Sequence, residues 1–361
     1  MEVKKGELIP KKGAITLPLY IYAFLTAMVI AYVATPGIIK LAWKIGAIDV
    51  PRDSRRVHKK PIPRLGGLAI FIAFAAVGLV TLPLNFSSIK GMLLGGAFIV
   101  IIGILDDIYS LPPKVKLLGQ VAAAGILLLF GLKVEWVTNP LGGMFYLGKW
   151  SIPITLFWVV GITNTLNFID GLDGLAAGIA AIASITMMLV NLSLHQINAV
   201  LVTALLAGAA VGFLPHNFNP ARIFMGDTGA MFLGFILSAV AIDGAVKSAT
   251  AIALIVPILA LGLPIFDTAF AILRRFMNGK PIMQADKGHL HHRLMAIGLS
   301  QKQAVLFMYF VSLSLGICSI ILAKIGMKEA VIALCVVLFT LMFSIRQLNI
   351  SREAKKSTHS M

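Results

Sequence analysis

The sequence has little charge and few cysteines, and acidic residues are especially scarce. Only 13% of its residues are charged against 58% that are hydrophobic, and 15 acidic residues stand against 31 lysines and arginines. A soluble domain of 361 residues rarely has this composition. The two cysteines, Cys318 and Cys335, lie inside apolar runs. They form no metal-binding spacing, so we predict that both are small buried side chains.

Long apolar runs stand where charge is missing. A helix that crosses a bilayer needs about 17 to 25 apolar residues, and we therefore predict an all-α polytopic membrane protein with about eleven transmembrane helices. The predicted spans lie near residues 17–40, 66–84, 91–105, 117–133, 152–168, 175–193, 198–214, 229–246, 248–273, 303–322 and 330–346. The first is too long for a removable signal peptide. Residues 1–350 are predicted to form one integral membrane domain, and residues 351–361 a polar cytoplasmic tail that we expect to be disordered.

The basic residues predict the orientation of the chain. Loops after odd-numbered spans, together with the C-terminal tail, hold most of the lysines and arginines. By the positive-inside rule this side is cytoplasmic, with the N-terminus outside and the C-terminus inside, although the basic N-terminal tail argues mildly against it. Bases beside spans favour membrane lipids and phosphates over nucleic acid as partners. On the external side, the alternating pattern from Val134 to Trp150 predicts a small β-hairpin.

The unusual polar motifs all fall on the predicted cytoplasmic face. Their acids, at the ends of spans, are Asp106, Asp107, Asp170, Asp173 and Asp227. Random placement would not produce this pattern, so we predict that five loops converge into one site on that face. The alternative from another class is an ion-coupled transporter, which would place acids in mid-span and usually repeat one half of the chain.

The stretch NTLNFIDGLDG, residues 164–174, brings amides and carboxylates together at a span end. Steps of three residues place Asn164, Asn167 and Asp170 on one helix face. Amide and carboxylate oxygens are the hard ligands that Mg²⁺ prefers. Helix capping and hydrogen bonding between helices are the alternative roles for each single residue.

Two further motifs combine acids with groups that suit phosphates or bases. Asp106 and Asp107 are adjacent carboxylates that repel each other unless a cation or shared proton relieves them, although a solvated span end also explains them. Lys114 and Lys116 follow within reach of a phosphate held in the same loop, or anchor the chain at headgroups. Asp227 stands where a helix begins, as a metal ligand or only an N-cap. Phe224 offers a flat face for stacking on a base.

The last polar loop contains HLHHR at residues 289–293. A zinc site is the first interpretation of a histidine cluster, but no cysteine and no HExxH helix accompanies it. Histidines beside an arginine suit a polyphosphate better. Ordinary surface histidines are the remaining alternative.

Six motifs in the same order resemble those of the polyprenyl-phosphate N-acetylhexosamine-1-phosphate transferases. They are HKKPIPRLGG, LDDIYSLPPKVKLLGQ, NTLNFIDGLDGLAAG, NFNPARIFMGDTGAMFLG, LPIFDT and HLHHR. The histidine loop most resembles that of bacterial enzymes that transfer N-acetylglucosamine 1-phosphate to undecaprenyl phosphate. Leu290 interrupts the triple histidine typical of the muramoyl-pentapeptide branch, which lowers that alternative.

The resemblance implies an enzyme that moves N-acetylglucosamine 1-phosphate from UDP-N-acetylglucosamine to undecaprenyl phosphate and releases UMP. It implies the bacterial inner membrane, a cytoplasmic active site, Mg²⁺ as cofactor with Mn²⁺ as an alternative, and a homodimer. The product would begin a cell-surface polysaccharide such as lipopolysaccharide or a teichoic acid. The muramoyl-pentapeptide or another UDP-N-acetylhexosamine remains the alternative donor.

The resemblance also implies roles for individual residues. The implied metal ligands are Asp227 and Asn167. The residues implied to face the lipid phosphate are Asp106, Asp107 and Lys116. Those implied to contact the nucleotide sugar are Asp173, Asn217, Phe224, His289, His291, His292 and Arg293, with Asp170 supporting the site. Asp267 is left outside this set. An acid inside a membrane span usually has a function, but a kinked helix at Pro264 and a buried hydrogen-bond partner explain this one equally well.

Overall fold

A computed structural model describes residues 18–51, 60–138, 144–247, 255–279 and 288–325, together with residue 332. Twelve α-helices lie in these ranges: α1 Leu19–Ile45, α2 Gly67–Thr81, α3 Ser87–Tyr109, α4 Pro113–Leu129, α5 Ser151–Ile169, α6 Leu175–Ser193, α7 Ile197–Asn217, α8 Gly226–Lys247, α9 Ile255–Ala260, α10 Gly262–Met277, α11 Leu290–Ala296 and α12 Gln301–Lys324. The predicted last span, apart from residue 332, lies outside the described residues, as do Cys335 and the tail 351–361.

The architecture is that of a polytopic membrane protein. Within the described ranges, seven helices are long and apolar enough to cross a bilayer, namely α1, α3, α5, α6, α7, α8 and α12. The shorter helix α2 is also apolar. The polytopic helical class is therefore confirmed, whereas the predicted count of eleven spans is not.

The predicted ninth span, residues 248–273, is not one continuous helix. Its described part is divided at Leu261 into α9 and α10. Pro264 lacks the N–H that would bond to the carbonyl of Ala260, so the predicted kink lies where the helix breaks. In α10 the buried residues recur at helical spacing and include Thr268 and Arg275. The opposite face is apolar and exposed, which makes α10 an amphipathic helix.

Small residues allow α1 and α7 to cross with their backbones in close contact. Ala23, Ala27 and Ala31, one turn apart on α1, are completely buried. On α7, a Cβ added to Gly208 would lie 2.1 Å from the carbonyl oxygen of Phe24. Inside a bilayer, such close packing takes the place of the hydrophobic drive that water supplies to soluble helices.

Helix α8 lies at the centre of the bundle. Its side chains are buried around the whole circumference, including Phe232 and Phe235 with no exposed area. A helix that is apolar on every side requires neighbours on every side, and α8 packs mainly against α3 and α5. The first turn of α8 therefore lies next to the last turns of these two helices.

Two small β-ladders complete the described structure. Strands β1, Ile48–Asp49, and β2, Ile62–Pro63, pair antiparallel, and the sequence pattern did not predict them. Strands β3, Trp136–Thr138, and β4, Met144–Tyr146, form the antiparallel hairpin that was predicted between α4 and α5. Because α4 runs from the polar end of the bundle, this hairpin lies at the opposite end.

Candidate active site

The polar motifs meet at one end of the bundle, where α3, α5 and α7 end and α4, α6 and α8 begin. A glycine brings the end of α3, which carries Asp106 and Asp107, next to the start of α8, which carries Asp227. A Cβ on Gly103 would lie only 2.4 Å from the Cα of Thr228. A larger residue at position 103 would separate the last turn of α3 from the first turn of α8. The convergence predicted from the loops is therefore present, and close helix packing produces it.

A polar cavity of about 450 Å³ opens at this end. The predicted site residues that line it are Asp107, Asn167, Asp170, Asp173, Asn217, Phe224, Asp227 and His292. Lys116 adjoins the cavity through its contact with Asp227, and Asp106 adjoins it through its contact with Lys116. Ten residues predicted from four separate motifs thus form or adjoin one cavity.

Lys116, in the first turn of α4, bridges two of the carboxylates. Its Nζ lies 2.7 Å from Oδ2 of Asp106 and donates a short hydrogen bond to Oδ1 of Asp227. The second oxygen of Asp106 accepts from the backbone N–H of Leu111 at 2.8 Å. Lys116 was predicted to be the cation of this site, and here it neutralises the protein's own acids. The neighbouring Lys114 is exposed.

Asp107 holds the start of α8. Its Oδ1 accepts from the backbone N–H of Asp227 at 3.0 Å, and its Oδ2 accepts from the N–H and hydroxyl of Thr228. A carboxylate that receives free N–H groups at a helix N-terminus is stabilised by the helix dipole. Asp107 therefore positions Asp227, and its contact with a lipid phosphate stays a prediction.

The stretch with which α5 ends divides into different roles. The amide of Asn164 pairs with Gln120, with Nδ2 to Oε1 at 2.6 Å, and thereby joins α5 to α4. The Asn167 side chain lies beside the carboxylate of Asp227. Asp170 lies directly after α5, where burial and the nearby charges of Asp227 and Asp107 raise its pKa to about 8. A carboxyl group with this pKa exchanges a proton near neutral pH.

Asp173 and Asn217 hold the loop between α7 and α8. Oδ2 of Asp173 accepts from Asn219 Nδ2 at 3.0 Å and from the N–H of Ala221 at 3.1 Å. Asn217 accepts from the N–H of Gly174 at 3.1 Å and donates to the carbonyl of Ile223 at 2.9 Å. Both amide ends of Asn217 are thus engaged within the protein, and its contact with the nucleotide sugar stays a prediction.

The histidine loop is docked by Asp267. One carboxylate oxygen of Asp267 lies 2.9 Å from Nδ1 of His289, and the other accepts from the N–H of Leu290 at 2.8 Å. Asp267 therefore has buried hydrogen-bond partners, as predicted for it in place of a direct role in the chemistry. Arg293 lies apart from the polar cavity and lines a second, mainly apolar cavity beside α10.

His291 lies behind the polar cavity. It is only 2% exposed, and neither ring nitrogen has a hydrogen-bond partner in the described part of the chain. Its ring stacks on His289 with a centroid distance of 5.8 Å and lies 4.2 Å from the ring of His292. Burial and these neighbouring imidazoles lower the pKa of His291 to about 3. The ring is therefore neutral at physiological pH.

Three further charged or amide side chains line the cavity although the sequence predicted no role for them. They are Asp49, Arg64 and Gln301. Arg64 belongs to the PRLGG motif, in which a basic residue stands two positions before a glycine pair, and this motif was a usable signal. Asp49 and Gln301 carried no such signal, because only the tertiary fold brings β1 and the start of α12 to this cavity.

The ligand types in the cavity fit a magnesium ion. The described part of the chain contains no group of three histidine, cysteine or acidic residues that could hold a metal. Magnesium, however, commonly binds through one or two carboxylates plus waters and substrate phosphates. The oxygens of Asp227 and Asn167 provide such a set, and the cationic Nζ of Lys116 shows that the adjoining carboxylates attract positive charge.

Fold and site together define a polytopic membrane protein with an acidic, lysine-bridged cavity at one end of its helical bundle. The chain belongs to glycosyl transferase family 4, whose sequence pattern matches residues 89–245. The family resemblance predicted from the six motifs is thereby confirmed.

Individual relatives match most of the chain. A probable undecaprenyl-phosphate N-acetylglucosaminyl 1-phosphate transferase of Bacillus subtilis (strain 168) is 41% identical over 84% of this chain and 84% of its own length. A decaprenyl-phosphate N-acetylglucosaminephosphotransferase of Mycobacterium tuberculosis (strain ATCC 25618 / H37Rv) is 38% identical over 79% and 78%. A phospho-N-acetylmuramoyl-pentapeptide-transferase of Streptococcus uberis (strain ATCC BAA-854 / 0140J) is 29% identical over 72% and 82%.

Proposed function

We propose that the protein transfers N-acetylglucosamine 1-phosphate from UDP-N-acetylglucosamine to undecaprenyl phosphate. The observation that carries this proposal is the 41% identity, over 84% of both chains, to a relative named for this transfer onto undecaprenyl phosphate. The muramoyl-pentapeptide relative is more distant, at 29%. A family of glycosyl transferases also favours an enzyme over the ion-coupled transporter.

The reaction is a direct displacement at phosphorus. An oxygen of the lipid phosphate attacks the β-phosphorus of the UDP-sugar and forms the new P–O bond. The bond from the β-phosphorus to the bridging oxygen breaks, and UMP leaves with that oxygen. Phosphoryl transfer of this kind depends mainly on positioning and charge neutralisation.

Asp106 is not needed as a strong base in this scheme. The second pKa of a phosphate monoester is about 6, so most of the attacking phosphate is already ionised at neutral pH. Asp106 instead holds Lys116 at 2.7 Å. Lys116 is then placed to offset negative charge that develops between the two phosphates.

Asp227 and Asn167 would hold Mg²⁺, or Mn²⁺ in its place, and the ion would supply positive charge to the diphosphate. Asp107 keeps the Asp227 backbone in place by accepting its N–H at 3.0 Å. Phe224 lines the same cavity and offers a face for the uracil. The second cavity, beside the exposed apolar face of α10, suits the polyprenyl chain.

The proposed location is the bacterial inner membrane, with the polar cavity in the cytoplasm, the N-terminus outside and the C-terminus inside. The distribution of lysine and arginine among the loops supports this orientation. A homodimer is part of the same proposal on resemblance alone. The product lipid diphosphate sugar would begin a cell-surface polysaccharide.

The deciding experiment measures UMP release by the purified protein with undecaprenyl phosphate and Mg²⁺. UDP-N-acetylglucosamine, other UDP-N-acetylhexosamines and UDP-N-acetylmuramoyl-pentapeptide are supplied in separate reactions. We expect release with UDP-N-acetylglucosamine. Release with the pentapeptide donor alone would place the protein in the other branch, and no release with any donor would refute the proposed reaction.

A further inference from the structure

The backbone around Arg64 is fixed at the edge of the polar cavity. Its N–H donates to the carbonyl of Ala47 at 2.9 Å. On its two sides, the N–H of Phe224 donates to the carbonyl of Pro63 at 2.8 Å, and the N–H of Gly66 donates to the carbonyl of Phe224 at 2.9 Å. The Arg64 side chain therefore starts from a well-held position next to the aromatic residue proposed to face the base.

The guanidinium group of Arg64 lies over the end of α3. Its Nε donates to the carbonyl of Asp107 at 2.9 Å, and its Nη2 donates to the hydroxyl of Ser110 at 3.1 Å. An arginine has five N–H donors. The remaining donors of Arg64 make no hydrogen bond to the described part of the chain, although the residue lines the cavity.

The charge of the cavity gives these remaining donors a use. Its described lining includes Asp49, Asp107, Asp170, Asp173 and Asp227. Arg64 is the only lysine or arginine among the described lining residues. A phosphate that enters such an acidic cavity is repelled unless cations meet it. The planar guanidinium, with several donors directed from one side, matches the oxygens of a phosphate.

We propose that Arg64 binds a phosphate group of a substrate in this cavity. The inference rests on the proposed function, because that reaction brings two phosphate sources to the site: the diphosphate of the nucleotide sugar and the phosphate of the lipid. Two of the arginine's donors hold it to the end of α3, and the others bind the phosphate oxygens. Arg64 is thus a substrate-binding residue as well as a contact between loops.

A binding experiment tests the phosphate contact without catalysis. Pyrophosphate is titrated, with Mg²⁺ present, into the full-length detergent-purified protein and into R64K, R64Q and the control R222Q, with heat as the readout. Glutamine keeps an N–H donor but loses the charge, whereas lysine keeps the charge. Arg222 is an exposed arginine outside the cavity lining.

We expect R64Q to bind pyrophosphate about 10 to 100 times more weakly than the wild type, since hydrogen bonds to charged groups are stronger than those between neutral groups. R64K should lose less, and R222Q should match the wild type. Equal binding by R64Q and the wild type would overturn the proposal. Equal weakening of R64K and R64Q with an equally lowered melting temperature would also overturn it, because that result describes a purely structural contact.

Steady-state kinetics then identifies the phosphate source. A raised KM for the UDP-sugar in R64Q assigns the contact to the diphosphate, and a raised KM for undecaprenyl phosphate assigns it to the lipid. A lower kcat with both KM values unchanged contradicts substrate binding by Arg64. If the proposed reaction itself is wrong, the wild type releases no UMP with UDP-N-acetylglucosamine, whereas the pyrophosphate titration still tests Arg64.

Discussion

Thr228 donates both its backbone N–H and its hydroxyl to Oδ2 of Asp107, at 3.1 Å and 2.6 Å. The contact joins the last turn of α3 to the first turn of α8. Since Asp227 immediately precedes Thr228, the same carboxylate fixes the backbone of the proposed metal ligand. The acid pair that first suggested chemistry therefore divides its work: Asp106 binds Lys116, and Asp107 holds the helix that carries Asp227.

Replacing Thr228 tests this positioning role. Thr228→Val keeps the shape and the backbone N–H but removes the hydroxyl, and we expect a loss of about 1 kcal/mol in stability together with lower activity. Thr228→Ser keeps the hydroxyl and should stay near the wild type. Melting temperature in detergent and kcat are measured for both. A valine variant equal to the wild type in both would contradict the role assigned to the Asp107–Thr228 contact.

Lys116 and Lys114 form a matched pair for testing charge. Lys116→Gln leaves Asp106 and Asp227 without their bridging cation, so we expect UMP release to fall by about 100-fold or more, the size of effect seen when a positioned electrostatic contact is lost. Lys114 is exposed, and Lys114→Gln should fall within about threefold of the wild type. Similar losses in both variants would mean that Lys116 acts only as a general surface charge.

The buried His291 predicts a loss of stability in acid. Its folded pKa of about 3 lies below the ordinary value of 6.5. The unfolded chain therefore takes up the proton first, so stability is full above about pH 6.5 and falls by up to about 1.4 kcal/mol per pH unit below it. The other titratable groups around it are His289, His292 and Asp267. A His291→Leu variant keeps all three, so a difference from the wild type reports on His291.

We expect the melting temperature of His291→Leu to drop less between pH 7 and pH 5 than that of the wild type. These two pH values lie on either side of the ordinary histidine pKa of 6.5. His195→Asn is the control, because His195 is exposed and has a φ of 55°, which asparagine tolerates. This control should keep the acid-induced drop of the wild type. Identical pH profiles for the leucine variant and the wild type would show that His291 is not the group responsible.

Gly212 tests the close crossing of α1 and α7. A Cβ at this position would lie 2.0 Å from the carbonyl oxygen of Met28, so even Gly212→Ala must move one of the helices. We expect a loss of about 1–3 kcal/mol, read as a lower melting temperature. Gly125→Ala is the control, because a Cβ there meets nothing within 4 Å. An unchanged melting temperature for Gly212→Ala would mean that α1 and α7 can move apart without a loss of stability.

The sequence predicted the members of the site better than their contacts. Asp106, Asn167 and Asp227 could be predicted because polar groups at helix ends are conspicuous in an apolar chain. The bridge that Lys116 forms between Asp106 and Asp227 could not be predicted, since it depends on helix distances set by close contacts such as that between Gly103 and Thr228. The apolar run also predicted one kinked span across Leu261, because apolar composition does not reveal whether a proline bends a helix or divides it into two.

Asp227 gives the most direct test of the proposed metal ion. If this carboxylate and Asn167 hold Mg²⁺, a chelator should abolish UMP release, and added Mg²⁺ or Mn²⁺ should restore it. Asp227→Asn removes the charged ligand and should raise the Mg²⁺ concentration for half-maximal activity by at least about tenfold. Glu135→Gln, at the other end of the bundle, is the control and should leave that concentration unchanged, because Glu135 pairs only with Lys133 among described residues. A lower kcat in Asp227→Asn at an unchanged Mg²⁺ requirement would assign Asp227 to holding Lys116 and would remove it from the metal site.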